Sequence, residues 1–523
     1  MKVLISDPIS ELGLEVLKKA NLTIDYLPEW TLEELKTHVA DASAWIVRSG
    51  TKINKELLDT TESLQIIGRA GVGVDNIDIP AATRKGIVVV NTPEVNTISA
   101  AEHTVGMMLA FSRNIPQGHS SVKAGEWNRH ALVGIELKGK TLGIVGFGKI
   151  GREVHRRCKA FQMKILGYDP FLTQDMINPD EVTLVDLDTL TRKSDFITLH
   201  LPINKETLNL FDLNRLKMMK STAVIINVAR GGIINEEELA LALNEQIIAG
   251  AALDVFSVEP LKHEHPLVKA KNIIFTPHLG ASTHEAKEGV SIAVCESVLD
   301  YLDKGKLSSA LNFPISNFEN LNNISPYLEL SEKLGMTQGY FNDGAVSAIK
   351  IECAGSINDT HPLTLSFLKG FLSRRVSERL NLINAETIAN DMGITIEKGE
   401  SSDTGGYTNL IRTTVVMKNF SSSIHGTVFD SNRVSFVRFM GYDLDIEPKG
   451  TILFIKNKDV PGVVGKVGML LGESRVNIGI YLLSRKEDGF AMSAIRVDNE
   501  ISEETFDTLK ELEEIVFLQQ IQY

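Results

Sequence analysis

Short apolar runs alternate along the first part of the chain with stretches whose apolar positions recur every three or four residues. From Lys2 to Pro93 the runs are KVLIS, TIDYL, AWIVRS, LQIIGRAG and IVVVN, with helical patterns near Ser10–Ala20 and Thr31–Val39. Wholly apolar strands alternating with helices predict an open parallel sheet covered on both faces. A long apolar helix, ISAAEHTVGMMLAFSR, follows from Ile98 to Arg113, and Trp127 and Asn128 then sit in a polar loop. The runs TLGIVG, KILGYD, DFITLHLP, AVIINVA, IAGAALDV and NIIFTPH predict a second parallel sheet ending near His278. The helical stretch from His284 to Lys304 fits either sheet on pattern alone.

The third region, from about residue 308 to Lys449, mixes helical patterns near Tyr327–Gly335 and Leu363–Leu380 with strand-like VSAIKIECAG, TTVVMKN and SSIHGTVF. From Thr451 the order is strand (TILFIKN), helix (GVVGKVGMLLGES), strand (NIGIYLLSR), strand (FAMSAIRV), helix (SEETFDTLKEL) and strand (EIVFLQQI). That is the βαββαβ order of a ferredoxin-like domain. Several domains are expected in 523 residues, because single cores stop growing well below that length.

Composition narrows the function classes. Lys+Arg of 54 against Asp+Glu of 67 leaves a net charge of −13, which argues against general affinity for nucleic acid or anionic lipid. Cys158, Cys295 and Cys353 lie far apart in periodic segments, so neither a disulfide framework nor a zinc site is indicated. A reducing, cytoplasmic setting is expected, with no signal peptide in MKVLISDPISELG and no membrane span. His263 and His265 in KHEHP have metal-like spacing but no third ligand nearby, and no metal is expected.

The stretch LGIVGFGKIGREV places Gly146, Gly148 and Gly151 between a strand and a helix, with Asp169 at the end of the next strand. This is the setting in which G-x-G-x-x-G binds a dinucleotide. The first glycine allows the sharp turn, the second lets backbone approach the pyrophosphate, and the third lets the helix press on the sheet. Lys149 and Ile150 open that helix, whose free N–H groups face the phosphates. Asp169 suits the ribose hydroxyls and repels a 2′-phosphate, and Pro170 and Phe171 follow it with no arginine, so NAD is expected over NADP.

Nicotinamide chemistry needs a base for the substrate hydroxyl. Arg230 in NVARGG, Glu259 in FSVEP and His278 in TPHLGAST follow successive strands of the second sheet, where open α/β proteins bind ligands. Histidine can take and return a proton near neutrality, a neighbouring carboxylate can fix its tautomer, and arginine can grip a carboxylate in a planar fork.

These motifs, with GFGKIG and Asp169, resemble the D-2-hydroxyacid dehydrogenases. The resemblance covers residues 1 to about 310 and implies catalysis by Arg230, Glu259 and His278 and NAD binding by Gly146, Gly148, Gly151 and Asp169. It puts Asp254 near the nicotinamide and returns the helix after His284 to the first sheet. Arg48 in WIVRSGTK, Arg69 and Gly71 in IIGRAGVGVDNID, and Asn96 in PEVNTISAAEH resemble the substrate loops of the branch that oxidises 3-phospho-D-glycerate. The whole chain has the layout of that branch's long form. A discontinuous substrate domain (1–98 and 283–307) would surround a Rossmann domain (99–282), with an α+β intervening domain (308–449) and a ferredoxin-like ACT domain (450–523) after them. The resemblance implies a homodimer or homotetramer.

In such tail domains L-serine can bind between paired copies. Asn457, Asp459 and Asn477 occupy the matching places, but asparagine stands at 457 where a histidine is found and aspartate at 459 where an asparagine is found. His103 reads as a hydrogen-bonded core residue, and Arg433 and Arg438 as a solvated sheet face or an anion site. The rival readings are a hydroxypyruvate or glyoxylate reductase, an NAD-sensing scaffold with negligible turnover, and an amino-acid sensor that uses only the tail.

Overall fold

Each of the first two alternating series folds into its own parallel sheet. The computed structural model describes residues 1–523 apart from 94, 308, 314–320, 358, 378, 419 and 431. In the first sheet the strands lie side by side in the order Thr23–Tyr26, Lys2–Ile5, Ala44–Val47, Ile66–Arg69, Val88–Asn91. All are parallel, and the strands AWIV and VVVN are buried along their whole length. Ser10 caps the helix Glu11–Lys18, and Thr31 with Glu34 forms a capping box on Leu32–Ala40. The helix His284–Lys304 packs on this first sheet. Its Val290, Val294, Cys295 and Val298 share a core with Val3, Ile5, Ile46, Ile66 and Val88.

The second sheet runs Ile273–Phe275, Gly250–Leu253, Val224–Asn227, Phe196–Leu199, Thr141–Val145, Lys164–Tyr168, Thr183–Leu184. The chain winds outward in both directions from Thr141–Val145, so the strand order reverses between that strand and Phe196–Leu199. Such a switch point opens a crevice at the carboxyl ends of the strands.

The third region is a sheet of six strands with Leu321–Phe341 and His361–Leu372 among its helices. The helix expected over Leu363–Leu380 stops at Leu372. Beyond it the chain turns to the first domain, where Arg379 Nη1 donates to Leu64 O (2.7 Å) and Asn381 Nδ2 to Gly86 O (2.7 Å). The strands Thr395–Ser401, Arg433–Phe439 and Tyr442–Ile446 carry no apolar run and escape the sequence pattern.

The tail folds as its pattern predicts, in the antiparallel order Ile478–Arg485, Phe490–Val497, Thr451–Lys458, Ile515–Gln522. Its helices Val463–Glu473 and Glu503–Lys510 cover one face. The other face joins the third region: Ile452, Phe454 and Ile521 share a core with Leu330, Phe367 and Phe439. Phe454 is fully buried and stacks on Phe439 with ring centroids 4.6 Å apart. Phe454→Ala should therefore cost about 3–5 kcal/mol. In a denaturant titration the tail and the third region should lose that stability in one common transition.

Candidate active site

The loops that leave the first sheet at its carboxyl edge face those of the second. Arg48 follows the strand Ala44–Val47, Arg69 ends the strand Ile66–Arg69, and Asn96 precedes the helix Thr97–Ser112. Across the gap, Arg230 follows Val224–Asn227 and His278 follows Ile273–Phe275. Arg48, Arg69, Gly71, Asn96, Arg230, Glu259 and His278 all line one cavity of about 360 Å³.

The cavity is cationic. Arg48, Arg69, Arg230 and Lys287 face it against the carboxylates of Asp75 and Glu259. Burial and the like charges of Arg230 and Arg48 lower the pKa of Arg69 to about 10. Its Nε is buried and has no hydrogen-bond partner among the described residues, and the same holds for Asn96 Oδ1. Gly71, at φ 147°, leaves room for the Arg69 guanidinium, which a Cβ there would overlap. Gly73 seats Arg230 in the same way, and Asp75 Oδ2 lies 3.5 Å from Arg230 Nε. Asn227 shapes the arginine loop by donating to Arg230 O (2.8 Å) and accepting from Ala229 N (3.0 Å).

His278 Nδ1 lies 2.8 Å from Glu259 Oε2, and Glu259 Oε1 accepts from Phe256 N at 3.0 Å. The carboxylate thereby fixes Nδ1 as the protonated nitrogen and leaves Nε2 free to act as a base. His278 sits at φ 55°, in the left-handed region. A second cavity of about 640 Å³ adjoins the pair and is walled by Phe256, Leu261 and Phe275.

The glycine loop fits a dinucleotide. Gly146 has φ 92° and lies against the His200 carbonyl, and Gly151 lies against the carbonyl of Gly146. Nothing approaches within 4 Å of the position a Cβ would take on Gly148, which caps the helix Lys149–Ala160 beside Ile150. A pyrophosphate can therefore meet bare backbone at a helix N-terminus. Asp169 accepts from Phe147 N and Phe171 N, both at 3.0 Å, and so ties the loop to the end of the next strand, with Pro170 exposed beside it. Asp254 is fully buried. Its carboxylate accepts from Leu279 N (2.7 Å) and Gly280 N (2.8 Å) under the His278 loop.

The remaining candidates lie elsewhere. Asn457 is buried and donates to Lys458 O, Asp459 pairs with Arg485 at 2.7 Å, and Asn477 donates to Asp498 at 2.8 Å. Arg433 lies 3.7 Å from Asp445 and Arg438 lies 3.6 Å from Asp443. His265 accepts from Leu267 N, and no group of metal-ligating residues occurs among the described residues. Burial pushes the thiols of the three free cysteines up to about 12. Among the described residues no helix is long and apolar enough to cross a membrane.

Residues 105–280 match the model of the D-isomer specific 2-hydroxyacid dehydrogenase NAD binding domain, and residues 323–440 that of the D-3-phosphoglycerate dehydrogenase intervening domain. The chain is 38% identical over 521 residues to the D-3-phosphoglycerate dehydrogenase of Archaeoglobus fulgidus, covering 99% of each chain. It is 39% identical over 519 residues to that of Methanocaldococcus jannaschii, covering 98% of each. The chain belongs to the D-3-phosphoglycerate dehydrogenases. It is an NAD-dependent oxidoreductase. A glyoxylate reductase from Paecilomyes thermophila, 30% identical, superposes with a TM-score of 0.55 over 60% of this chain and 98% of its own.

Sequence reasoning missed several residues of this dehydrogenase's cavity: Gly73, Asp75, Ser282 and Lys287. Gly73 had a signal, the second glycine of AGVGVD, which the first glycine overshadowed. Lys287, in the first turns of His284–Lys304, looks from its sequence like a solvated helix charge.

Proposed function

We propose that this chain oxidises 3-phospho-D-glycerate to 3-phosphohydroxypyruvate, the first step of serine synthesis by the phosphorylated route. One observation carries the reading. The half-buried guanidinium of Arg69, its Nε enclosed and unpartnered among the described residues, stands beside Arg48 and Arg230 in the cavity that His278 and Glu259 also line. Such crowding of like charges suits a substrate with two anionic ends.

NAD, when bound, supplies the acceptor for the hydride that leaves C2. His278 Nε2 takes the hydroxyl proton, and Glu259 holds the imidazole and stabilises its charged form. Arg230 grips the carboxylate and polarises the oxygen at C2, while Arg48 and Arg69, with Gly71 and Asn96, hold the phosphoryl end. The backbone at Gly146, Gly148, Lys149, Ile150 and Gly151 receives the pyrophosphate, and Asp169 and Pro170 border the adenosine ribose.

The reading extends to the assembly. We assign 1–98 with 283–307 to substrate binding, 99–282 to NAD, 308–449 to the intervening domain and 450–523 to an ACT domain. Trp127 and Val133 are 81% and 80% exposed, and Ile115 and Val122 are exposed as well; so many bare apolar side chains between 115 and 133 support a homodimer, with a tetramer built through the tail. L-Serine is the effector this layout would take, at Asn457, Asp459 and Asn477.

The test is NADH formation at alkaline pH with 3-phospho-D-glycerate, D-glycerate and D-lactate in parallel, each repeated with L-serine. Turnover on the phosphorylated acid far above that on D-glycerate or D-lactate is expected. Turnover on an unphosphorylated acid alone would move the chain to the glyoxylate reductase chemistry of its structural relative. Negligible turnover with tight NADH binding would make it a sensor. Unchanged rates with serine would strip the tail of its effector role.

A further inference from the structure

We infer that His103 is a positioning residue for the proton transfer, acting on His278 through Asp254; this rests on the role proposed for His278. His103 lies in the helix Thr97–Ser112, whose N-terminal neighbour Asn96 lines the substrate cavity. Its Nε2 is 3.2 Å from Asp254 Oδ1 and 3.0 Å from Thr276 Oγ1. Thr276 Oγ1 donates to the same carboxylate oxygen at 2.5 Å.

Among the described residues Asp254 has no lysine or arginine partner, although its side chain is fully buried. A carboxylate in that position is costly unless its lone pairs are filled. Burial works against its charge. Hydrogen bonds from His103 and Thr276 and from the amides of Leu279 and Gly280 outweigh it and hold the carboxyl below its ordinary pKa. An ionised carboxylate can only accept, so His103 must present Nε2–H to it. Among the described residues, the histidine is the one hydrogen-bond partner of the Asp254 carboxylate that comes from outside the two strand ends and the His278 loop.

What Asp254 holds is the turn that aims His278. Its carboxylate receives the amides on the carboxyl side of His278, and its own carbonyl accepts from His278 N at 2.8 Å. His278 is thereby kept at φ 55°, a conformation that a histidine does not adopt freely. Removing His103 takes away one of three donors at Asp254 Oδ1, leaving Thr276 and the Leu279 amide, and with it the donor 3.0 Å from Thr276 Oγ1 that orients this hydroxyl, which loosens the turn. Misplacement of a catalytic group by about 1 Å can cost about 100-fold in rate.

His103→Leu and His103→Gln separate positioning from packing. Gln keeps an Nε2 donor at similar reach, while Leu keeps the bulk and loses the donor. Expected for Leu is a fall in kcat of about tenfold or more with little change in the KM for 3-phospho-D-glycerate. Hydrogen exchange should quicken in the peptide 276–282, and Gln should recover most of both losses. Unchanged kcat in the Leu variant, unchanged exchange in that peptide, or equal damage from Leu and Gln would each overturn the proposal. His278→Asn in the same assay tests the reading beneath it. If that variant keeps full kcat, the role of His278 has failed, whatever the His103 exchange data show.

Discussion

His278→Ala should lower kcat by about 10²–10⁴-fold, the range that a well-placed general base contributes. The fall should come without loss of NADH affinity, measured by fluorescence titration, because the glycine loop and Asp169 lie on other loops of the second sheet. The left-handed backbone at His278 raises a confusion that must be designed out. Alanine at φ 55° is itself strained, so part of its effect would come from the turn and not from the lost imidazole. Asparagine tolerates that conformation better than most residues. His278→Asn should therefore match Ala in kcat while melting close to the wild type. Glu259→Gln should be milder, since it keeps a hydrogen-bonding group near Nδ1 and loses only the charge that stabilises the protonated ring. A His278→Asn variant with wild-type turnover would remove the base from the scheme.

The two parallel sheets were readable because their strands are buried on both faces and so appear as unbroken apolar runs, as in AVIINVA and IVVVN. Arg230, Glu259 and His278 were readable for a related reason: each follows such a run, and a charged residue at the end of a buried strand stands out. The third region resisted because its edge strands alternate or are mostly polar, as in Thr395–Ser401, where TIEKGES has Ile396 as its one large apolar residue. The home of the helix His284–Lys304 also lay beyond pattern. Pattern says that it packs, and the resemblance puts it on the first sheet, where its Val294 and Val298 share a core with Val3 and Val88. Lys287, Asp75 and Gly73 belong to the cavity through approaches between distant loops, for which local sequence carries no mark. Asp254 is a similar case. The resemblance puts it near the nicotinamide, and its burial and its bonds to Thr276, Leu279 and Gly280 add that it anchors the His278 loop, which no local pattern marks.

Arg69→Leu should lower kcat/KM for 3-phospho-D-glycerate by about 30- to 4,000-fold, because losing one partner of a desolvated charge pair costs about 2–5 kcal/mol. The same substitution should barely change the much slower reaction with D-glycerate, which has no phosphoryl group to hold. Stability should move the other way. Arg69 is half-buried, its Nε is enclosed without a partner among the described residues, and Arg230 and Arg48 repel it, so its charge opposes folding. The Leu variant should accordingly melt no lower than the wild type, and inorganic phosphate should raise the melting temperature of the wild type more than that of the variant. Lysine is not expected to rescue activity, since a point charge cannot reproduce the planar fork that Gly71 makes room for. Equal losses on the phosphorylated and unphosphorylated acids would instead make Arg69 a partner of the carboxylate shared by both. The phosphoryl end would then fall to Arg48 and Lys287, the other cations of the cavity on the first-sheet side.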